Sequence, residues 1–275
     1  MKILSWNIQS TRGCDGRFDF DRIYKHIIPY QADVICLQEI SRNFSEYGGN
    51  DQLQLFKEAF QQYNVIWAPA MSLPFKQNRQ RREFGNLTLV REGLLQDARV
   101  HSLPNPPAQG MMQMPRSLVE ARIQYHEQVL CLYNTHLAYH NYDERQAQVE
   151  YISQLKAQGL ARCAAPFQQD GEAAYEVQQE ADHFMLCGDL NLTPHMKEYE
   201  YLITQGKWMD SWTILYPDAF HEATCGIFDR EQWNEGANCR DFFMVSPSLD
   251  TALNSLEVDQ NTDASDHQPI FIELK

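Results

Sequence analysis

The stretch from His183 to Pro194, "HFMLCGDLNLTP", runs from an apolar segment straight into a glycine, an aspartate and an asparagine. A short continuous apolar run bounded by a turn signal is typical of a strand buried in a sheet. Asp189 and Asn191 follow this strand one residue apart, so its end directs a carboxylate and a carboxamide into a shared space. This predicts that the end of the strand carries function, and it raises the question of what the two side chains hold.

Strand-like and helix-like segments alternate along the rest of the chain. "DVICLQ" (33–38) is a continuous apolar strand, whereas "LVEARIQY" (118–125) alternates and predicts a half-buried antiparallel strand with Glu120 and Arg122 opposite its apolar face. Helices are predicted where apolar residues recur at 3-4-3 spacing, at Phe20, Ile23, Ile27 and Tyr30 and again at Leu53, Phe56, Phe60 and Tyr63. The mixture predicts an α/β fold whose sheets are covered partly by helices and partly by each other.

The chain has 275 residues, of which 43% are hydrophobic, which is enough for one sizeable core. Because no Pro/Gly/Ser-rich linker divides it, we expect a single domain over residues 1–275. Three segments are interpreted as loops, namely the basic 76–82, the Pro- and Met-rich 103–115 and the Gln/Glu-rich 168–182. In the second loop, Met111, Met112 and Met114 favour adaptable packing over a lid.

Composition disfavours several classes of protein. No segment approaches the ~20 consecutive apolar residues of a membrane-spanning helix. The opening "MKILSWNIQSTRG" (1–13) has too short an apolar run for a signal peptide and is interpreted as the first strand. Seven cysteines without a CxxC pair predict reduced thiols and a cytoplasmic location.

The formal net charge is −14, and a large negative field repels nucleic-acid backbones at long range. Nucleic acid is therefore a possible partner but not a favoured one. The dense cationic tract of Lys76, Arg79, Arg81 and Arg82 is interpreted as a solvated loop in preference to a backbone grip. No obligate protein partner is inferred.

Polar residues stand where the predicted strands end or begin. Four strands end on such residues and two begin on them: Asn7, Glu39, His136, Asp189 with Asn191, then Asp241 and Asp266 with His267. If the two late strands run antiparallel to the other four, all six ends meet at one edge of the sheets. An α/β architecture places its ligand crevice at such an edge.

The residue types in this set indicate a site built from hard oxygen ligands. Carboxylates and carboxamides without thiolates or clustered histidines suit Mg²⁺, with Mn²⁺ as a substitute, better than Zn²⁺ or copper. Asn7, Asn191 and His136 offer hydrogen-bond donors to an anionic transition state. Together these groups predict metal-assisted hydrolysis of a phosphate ester.

The chain resembles the endonuclease/exonuclease/phosphatase superfamily in five short motifs that occur in order over nearly its whole length. They are "SWNI" (5–8), "LQE" (37–39), "NTHL" (134–137), "GDLN" (188–191) and "SDHQPI" (265–270). The resemblance implies a DNase I-like fold, a four-layer α/β/β/α sandwich of two packed mixed β-sheets flanked by helices. It also implies a metal-dependent phosphodiesterase, nuclease or phosphatase.

The same resemblance implies residues for the metal and for the chemistry. Glu39 would be the principal Mg²⁺ ligand, with Asn7 and Asp266 near the metal. Asp189 would orient or deprotonate the attacking water, and Asn191 would bind the phosphate.

Two histidines complete the implied machinery. His267, paired with Asp241, would act on the scissile phosphate either as a base or as an electrostatic stabiliser. His136 would contact a phosphate oxygen or assist the leaving group. Arg116 stands where the family often places a phosphate-contacting residue.

The sequence leaves the substrate open. The acidic charge favours a small phosphorylated metabolite or headgroup, with an endo- or exonuclease as the alternative and a non-catalytic binding protein on the same fold as a third. Trp233, Asn234 and Asn238 either shape the substrate pocket or brace the loop that precedes Asp241.

Overall fold

Within residues 1–74, 80–165 and 180–275, which the computed structural model describes, twelve strands form two six-stranded sheets. Each sheet contains one parallel pair joined by a helical crossover, and its other pairs are antiparallel, so both sheets are mixed. The sheets pack face to face and helices cover their outer faces. This is the predicted four-layer α/β/β/α sandwich.

The first sheet has the strand order β11-β12-β1-β2-β4-β3. Its strands are β1 (Lys2–Asn7), β2 (Val34–Arg42), β3 (Tyr63–Pro74), β4 (Arg81–Arg91), β11 (Leu253–Val258) and β12 (Ile270–Leu274). The second sheet has the order β5-β6-β7-β8-β10-β9. Its strands are β5 (Leu95–Ser102), β6 (Ser117–Tyr125), β7 (Gln128–His136), β8 (His183–Asp189), β9 (Met209–Asp210) and β10 (Asp241–Val245).

Five helices complete the layers in the described ranges: α1 (Phe20–Ile27), α2 (Gln52–Ala59), α3 (Tyr142–Cys163), α4 (Lys197–Thr204) and α5 (Ser211–Leu215). α1 and α2 cover the first sheet, and their Ile23 and Phe56 belong to the same buried cluster as Leu37 of β2. α3 and α4 cover the second sheet. Between the sheets lies the central core, to which both sheets contribute apolar side chains such as Cys36 and Met185.

Both helices on the first sheet are shorter than their apolar stripes predict. α1 ends at Ile27, and a 3-10 turn that contains Pro29 follows, because proline cannot donate the backbone hydrogen bond that would continue the helix. α2 ends at Ala59, and Tyr63, which the stripe placed on the helix, begins β3. The stripes identified the buried faces correctly but extended them past the helix ends.

The prediction that β6 is half-buried is wrong. Glu120 and Arg122 are each only 2% exposed, so both faces of the strand are covered. Their charges are compensated by partners from other segments: His101 Nε2 lies 2.7 Å from Glu120 Oε2, and Arg122 Nη1 lies 3.4 Å from Asp97 Oδ2. Buried charges are stable only when paired in this way.

Some predicted features fall outside the described residues. Lys76 and Arg79 of the basic tract lie there, as does most of the third predicted loop, at 168–179. Among the residues that are described, no helix is both long enough and apolar enough to cross a membrane.

Candidate active site

Strand direction gathers six polar strand ends around one cleft. β1 runs parallel to β2, and β7 runs parallel to β8. β12 runs antiparallel to β1, and β10 runs antiparallel to β8 with Asp241 directly opposite Asp189. The resulting cleft has a volume of about 360 Å³. Eight of the predicted site residues line it: Glu39, Arg116, His136, Asp189, Asn191, Trp233, Asp266 and His267.

Glu39 leaves the regular path of β2. Its φ of +59° lies in the left-handed region, and the pairing with β4 shifts register between Leu37 and Ile40, so the residue sits in a β-bulge. Such strained positions cluster at functional sites. Asn7 Nδ2 donates to Glu39 Oε1 at 3.1 Å and to Asp189 Oδ2 at 3.0 Å. One carboxamide therefore joins carboxylates of the two sheets at the floor of the cleft.

Three residues of the "GDLN" motif are each required by the local structure, namely Gly188, Asp189 and Asn191. Gly188 has a φ of +129°, and a Cβ there would overlap the carbonyl oxygen of Thr135 on β7. Asn191 adopts the left-handed region with a φ of +50°, which asparagine tolerates well. Its backbone N–H donates to Asp189 Oδ1 at 2.9 Å and its Nδ2 donates to the Leu137 carbonyl oxygen at 2.9 Å. The turn fixes one Asp189 oxygen and leaves the other to the cleft.

His267 belongs to a hydrogen-bonded chain that begins behind the cleft. Thr224 Oγ1 donates to Asp241 Oδ2 at 2.6 Å, and the same oxygen lies 2.8 Å from His267 Nδ1. The other ring nitrogen, Nε2, lies 3.6 Å from Asp189 Oδ2. Burial lowers the pKa of His267, but the carboxylates of Asp241 and Asp189 outweigh it and hold that pKa well above its usual value. The imidazolium is therefore the favoured form.

His136 has the opposite electrostatic character. Its Nε2 lies 3.3 Å from Asp189 Oδ2 and its Nδ1 lies 3.9 Å from Glu39 Oε1. Burial, followed by the nearby charges of Arg116 and His267, holds its pKa well below the usual value, so the imidazole is neutral. Its Nδ1 is buried and has no hydrogen-bond partner among the described residues. Asp189 is thus flanked by one charged and one neutral imidazole.

Arg116 precedes β6 and lines the cleft with a side chain that is largely buried. Its Nε has no hydrogen-bond partner in the described part of the chain. Burial lowers the pKa of its guanidinium, and the charges of Glu39 and Asp189 act in the opposite direction. A buried N–H without a partner is a strong donor for an anionic ligand.

The carboxylates of the cleft repel one another and fit a divalent cation. Burial and the charge of Asp266 raise the pKa of Glu39 to about 7, and burial raises the pKa of Asp189. Potential ligand atoms of Asp189, Asp241 and His267 all lie within 4.8 Å of one another. Asp241 already shares a hydrogen bond with His267 and does not line the cleft, whereas the carboxylates of Glu39 and Asp266 both line it and suit a hard cation better.

The loop before β10 both shapes and braces the site. Trp233 Nε1 donates to Asp266 Oδ2 at 3.0 Å, and its ring lies edge-on to His267 with 5.4 Å between ring centroids. Asn238 makes its side-chain hydrogen bonds within its own loop. Asn234 is exposed and does not line the cleft, so its contact with substrate stays a prediction.

The Pro- and Met-rich loop contributes one residue to the cleft, and the described part of the basic tract is held by contacts within the protein. Met114 lines the cleft, whereas Met111 and Met112 are exposed. Arg81 donates to the side chain and carbonyl oxygen of a serine on β3, and the guanidinium of Arg82 lies 5.3 Å from the centre of a phenylalanine ring. Both described arginines of the basic tract are thus engaged within the protein.

Several residues of the site were not singled out in the sequence. Tyr139 and Gln9 line the cleft. Tyr139 lies two residues after "NTHL" and Gln9 directly follows "SWNI", so proximity to these motifs was an available signal. Tyr47 and Phe84 form another part of the wall. Thr224, which orients Asp241, lies 17 residues before it and has no local signal.

A larger groove of about 670 Å³ lies between α1 and α2. Its lining contains one carboxylate, Glu58, and one cation, Arg91, beside aromatic and aliphatic side chains. It lacks the convergent titratable groups of the smaller cleft, which is therefore the better candidate for chemistry.

Comparison with known proteins extends this description. The Endonuclease/Exonuclease/phosphatase family matches residues 4–267 of the chain. No curated protein sequence matches it. Its structure is similar to an endonuclease/exonuclease/phosphatase from Beutenbergia cavernae, with a TM-score of 0.72, 18% identity and coverage of 100% of this chain and 71% of that one.

Two further structures are similar at comparable levels. A mannosyl-6-phosphatase from Bacteroides thetaiotaomicron has a TM-score of 0.68 and 18% identity, with coverage of 100% of this chain and 99% of that one. D. rerio TDP2 complexed with a single-strand DNA product has a TM-score of 0.65 and 19% identity, with coverage of 99% and 97%. These likenesses confirm the predicted fold.

The family match, together with the DNase I-like fold, identifies the chain as a phosphoester-hydrolysing enzyme. The family match over nearly the full length shows that the chain belongs to the Endonuclease/Exonuclease/phosphatase family. Members of this family depend on divalent metals.

Proposed function

We propose that the protein is an Mg²⁺- or Mn²⁺-dependent phosphoesterase that hydrolyses a small phosphodiester or phosphomonoester by attack of an activated water. One observation carries this proposal. The Asp189 carboxylate lies 3.0 Å from Asn7 Nδ2, 3.3 Å from His136 Nε2 and 3.6 Å from His267 Nε2, so a single oxygen meets three groups of the predicted machinery.

Glu39 and Asp266 are the residues that would hold the metal. Their mutual repulsion, which contributes to the raised pKa of Glu39, favours a cation between them. When bound, the ion supplies positive charge that polarises a phosphoryl oxygen and orients the ester. Asn7 holds the Glu39 carboxylate in place through its amide N–H.

Asp189 is the residue that would orient or deprotonate water. Its raised pKa brings the carboxylate closer to the range in which a general base is effective. Of the two roles predicted for His267, base and electrostatic stabiliser, the second is the better supported, because Asp241 favours the protonated form of the imidazole. Arg116, whose buried Nε lacks a partner among the described residues, would donate to a phosphate oxygen. His136 would contact a phosphate oxygen or assist the leaving group. Asn191 would contribute a further contact to the phosphate.

A small metabolite or headgroup is the preferred substrate. The net charge of −14 opposes polyanions, and the two described arginines of the basic tract are already engaged. The similar structures include both a mannosyl-6-phosphatase and a protein bound to a DNA product, so a nuclease is the alternative.

The proposal also includes the domain organisation and the cellular location of the protein. Residues 1–275 act as one catalytic domain, since β1 pairs with β12 in a single sheet. All seven cysteines are free, which supports a reducing compartment such as the cytoplasm.

A screen of phosphoesters tests the proposal. Monoesters, diesters, nucleic acid and lipid headgroups are supplied separately with Mg²⁺ and with Mn²⁺, before and after EDTA. We expect metal-dependent hydrolysis of a small ester that is abolished by Glu39→Ala and tolerates salt. Hydrolysis that survives both EDTA and Glu39→Ala would contradict the mechanism, and steep loss of activity with salt would favour the nuclease.

A further inference from the structure

A second cavity of about 420 Å³ adjoins the cleft. The two share four lining residues, Gln9, Glu39, Tyr47 and Gln232. Glu39 therefore lies where the cleft meets the second cavity, and we call these the first and the second lobe of the site. A phosphomonoester has one organic substituent and needs space on one side of the phosphorus, whereas a phosphodiester has two substituents and needs space on two sides.

The lining of the second lobe is chemically distinct from the carboxylate floor. Besides the shared Glu39, it contains the guanidinium of Arg12, the rings of Phe18 and Tyr47, and a second carboxylate, Glu46. Arg12 Nη1 lies 3.4 Å from Gln9 Oε1 and 4.0 Å from an Asp229 oxygen. The other N–H groups of the Arg12 guanidinium have no hydrogen-bond partner among the described residues, so they are available to a ligand.

A ring of polar contacts fixes the boundary between the lobes. Gln9 Nε2 donates to Gln232 Oε1 at 2.9 Å, and Gln232 Nε2 donates to Asp229 Oδ2 at 2.5 Å. Asp229 in turn faces Arg12. The ring holds the Arg12 guanidinium beside the Glu39 junction.

Backbone strain places Gln9 in this ring. Gln9, Ser10 and Thr11 have φ values of +43°, +53° and +65°, so three successive residues other than glycine adopt the left-handed region. Each such residue is unfavourable by about 1–2 kcal/mol, and strain of this kind persists where a site requires it. The turn directs Gln9 between the lobes instead of away from them.

We infer that the second lobe is a subsite for the other substituent of a phosphodiester, so that the enzyme cleaves diesters in preference to monoesters. The inference rests on the proposed function. The substituent that fits carries oxygen acceptors for Arg12 and a flat face for the rings of Phe18 and Tyr47. In the reaction, the oxygen of water bonds to phosphorus and one P–O ester bond breaks. The products are one alcohol and one monoester.

Bis(p-nitrophenyl) phosphate tests this directly, since each substituent has a flat ring and nitro oxygens. With Mn²⁺ we expect one equivalent of nitrophenolate per diester, and a kcat/KM for p-nitrophenyl phosphate at least about 10-fold lower. Arg12→Ala should lower kcat/KM for the diester about 10-fold, mainly through KM, as expected for the loss of a hydrogen bond to a charged group. Arg17→Ala, the same change at an exposed position outside the lobe, should leave it unchanged.

Phe18→Leu provides a second variant that keeps apolar volume and removes the flat ring, should Arg12→Ala fail to fold. It should also raise KM for the diester. Release of two equivalents at similar rates, or Arg12→Ala and Phe18→Leu both matching Arg17→Ala, would overturn the subsite while leaving the phosphoesterase intact. Absence of Mn²⁺-dependent hydrolysis of either ester would overturn the proposed function together with the subsite.

Discussion

Gln52 Nε2 donates a hydrogen bond of 2.6 Å to the carbonyl oxygen of Ser10, and Gln52 Oε1 accepts one of 2.9 Å from the backbone N–H of Ser41. Ser10 Oγ closes the connection by donating to the Glu39 carbonyl oxygen at 3.1 Å. Gln52 is 1% exposed. One buried carboxamide therefore ties the strained turn after Asn7 to the bulge that carries Glu39.

Gln52→Met should weaken Mn²⁺ binding about 10-fold, because it removes the hydrogen bonds of the carboxamide at nearly constant volume and leaves the Ser10 carbonyl oxygen and the Ser41 N–H without these partners. Calorimetric titration of the protein with Mn²⁺, without substrate, measures this. Gln54→Met is the matched control, since Gln54 lies on the same helix, is exposed, and donates through its side-chain amide to Glu58 on the helix surface. A Gln52→Met protein that is less stable but binds Mn²⁺ with wild-type affinity would restrict Gln52 to a structural role.

Asp189→Asn and His267→Ala should each lower kcat by about 10²-fold or more while the fold is retained, given the usual size of general-base and electrostatic contributions. Steady-state kinetics with a chromogenic diester and Mn²⁺, alongside thermal melts, check both. Asp218→Asn makes the same substitution at an exposed residue outside the cleft and should be neutral. Near-normal turnover in either site variant would remove that residue from its role.

Lys156 on α3 should make stability depend on pH in the alkaline range. Its Nζ donates to the Lys207 carbonyl oxygen and lies 4.2 Å from the Trp208 ring centroid, and burial lowers its pKa from 10.5 to about 8. Between these two values the unfolded chain binds the proton and the folded chain does not. The free energy of unfolding therefore increases as pH rises through that window, by up to about 3 kcal/mol.

The comparison of wild type with Lys156→Met isolates this effect, because all other titrating groups are common to both proteins. Urea denaturation at about pH 7.5 and at about pH 10 should show the free energy of unfolding of the wild type increasing relative to the variant. A difference that is the same at both values would show that Lys156 titrates normally.

The polar residues at the strand ends were predictable because each depends only on neighbouring residues in the sequence. An apolar run and the polar residue that ends it are adjacent in the chain, as in "FMLCGDLN", and the antiparallel direction of β10 and β12 then gathers the ends at one edge. Asp241 and Asp189, 52 residues apart in sequence, become direct neighbours through this topology alone.

Features set by distant partners were not predictable from the sequence. Glu120 and Arg122 were assigned to an open face because the residues that neutralise them, His101 and Asp97, lie on β5. That strand, Leu95–Ser102, was itself not predicted, since its mixed polar sequence lacks a strand period and its stability comes from pairing with β6.

The backbone strain at the site was equally hidden. Glu39 and Gln9 adopt left-handed conformations without any glycine to signal them. The hydrogen bonds that hold the Glu39 bulge come from Gln52 at the start of a different element. Tertiary contacts thus override local preference where the site is built.

Calorimetric titration with Mn²⁺ of the wild type and of Glu39→Gln is the most direct measurement of the central claim, that carboxylates from separate chain segments hold one divalent cation. Saturable binding by the wild type, weakened at least about 10-fold in Glu39→Gln with a parallel loss of ester hydrolysis, is the predicted result. Equal Mn²⁺ affinity in the two folded proteins would contradict it.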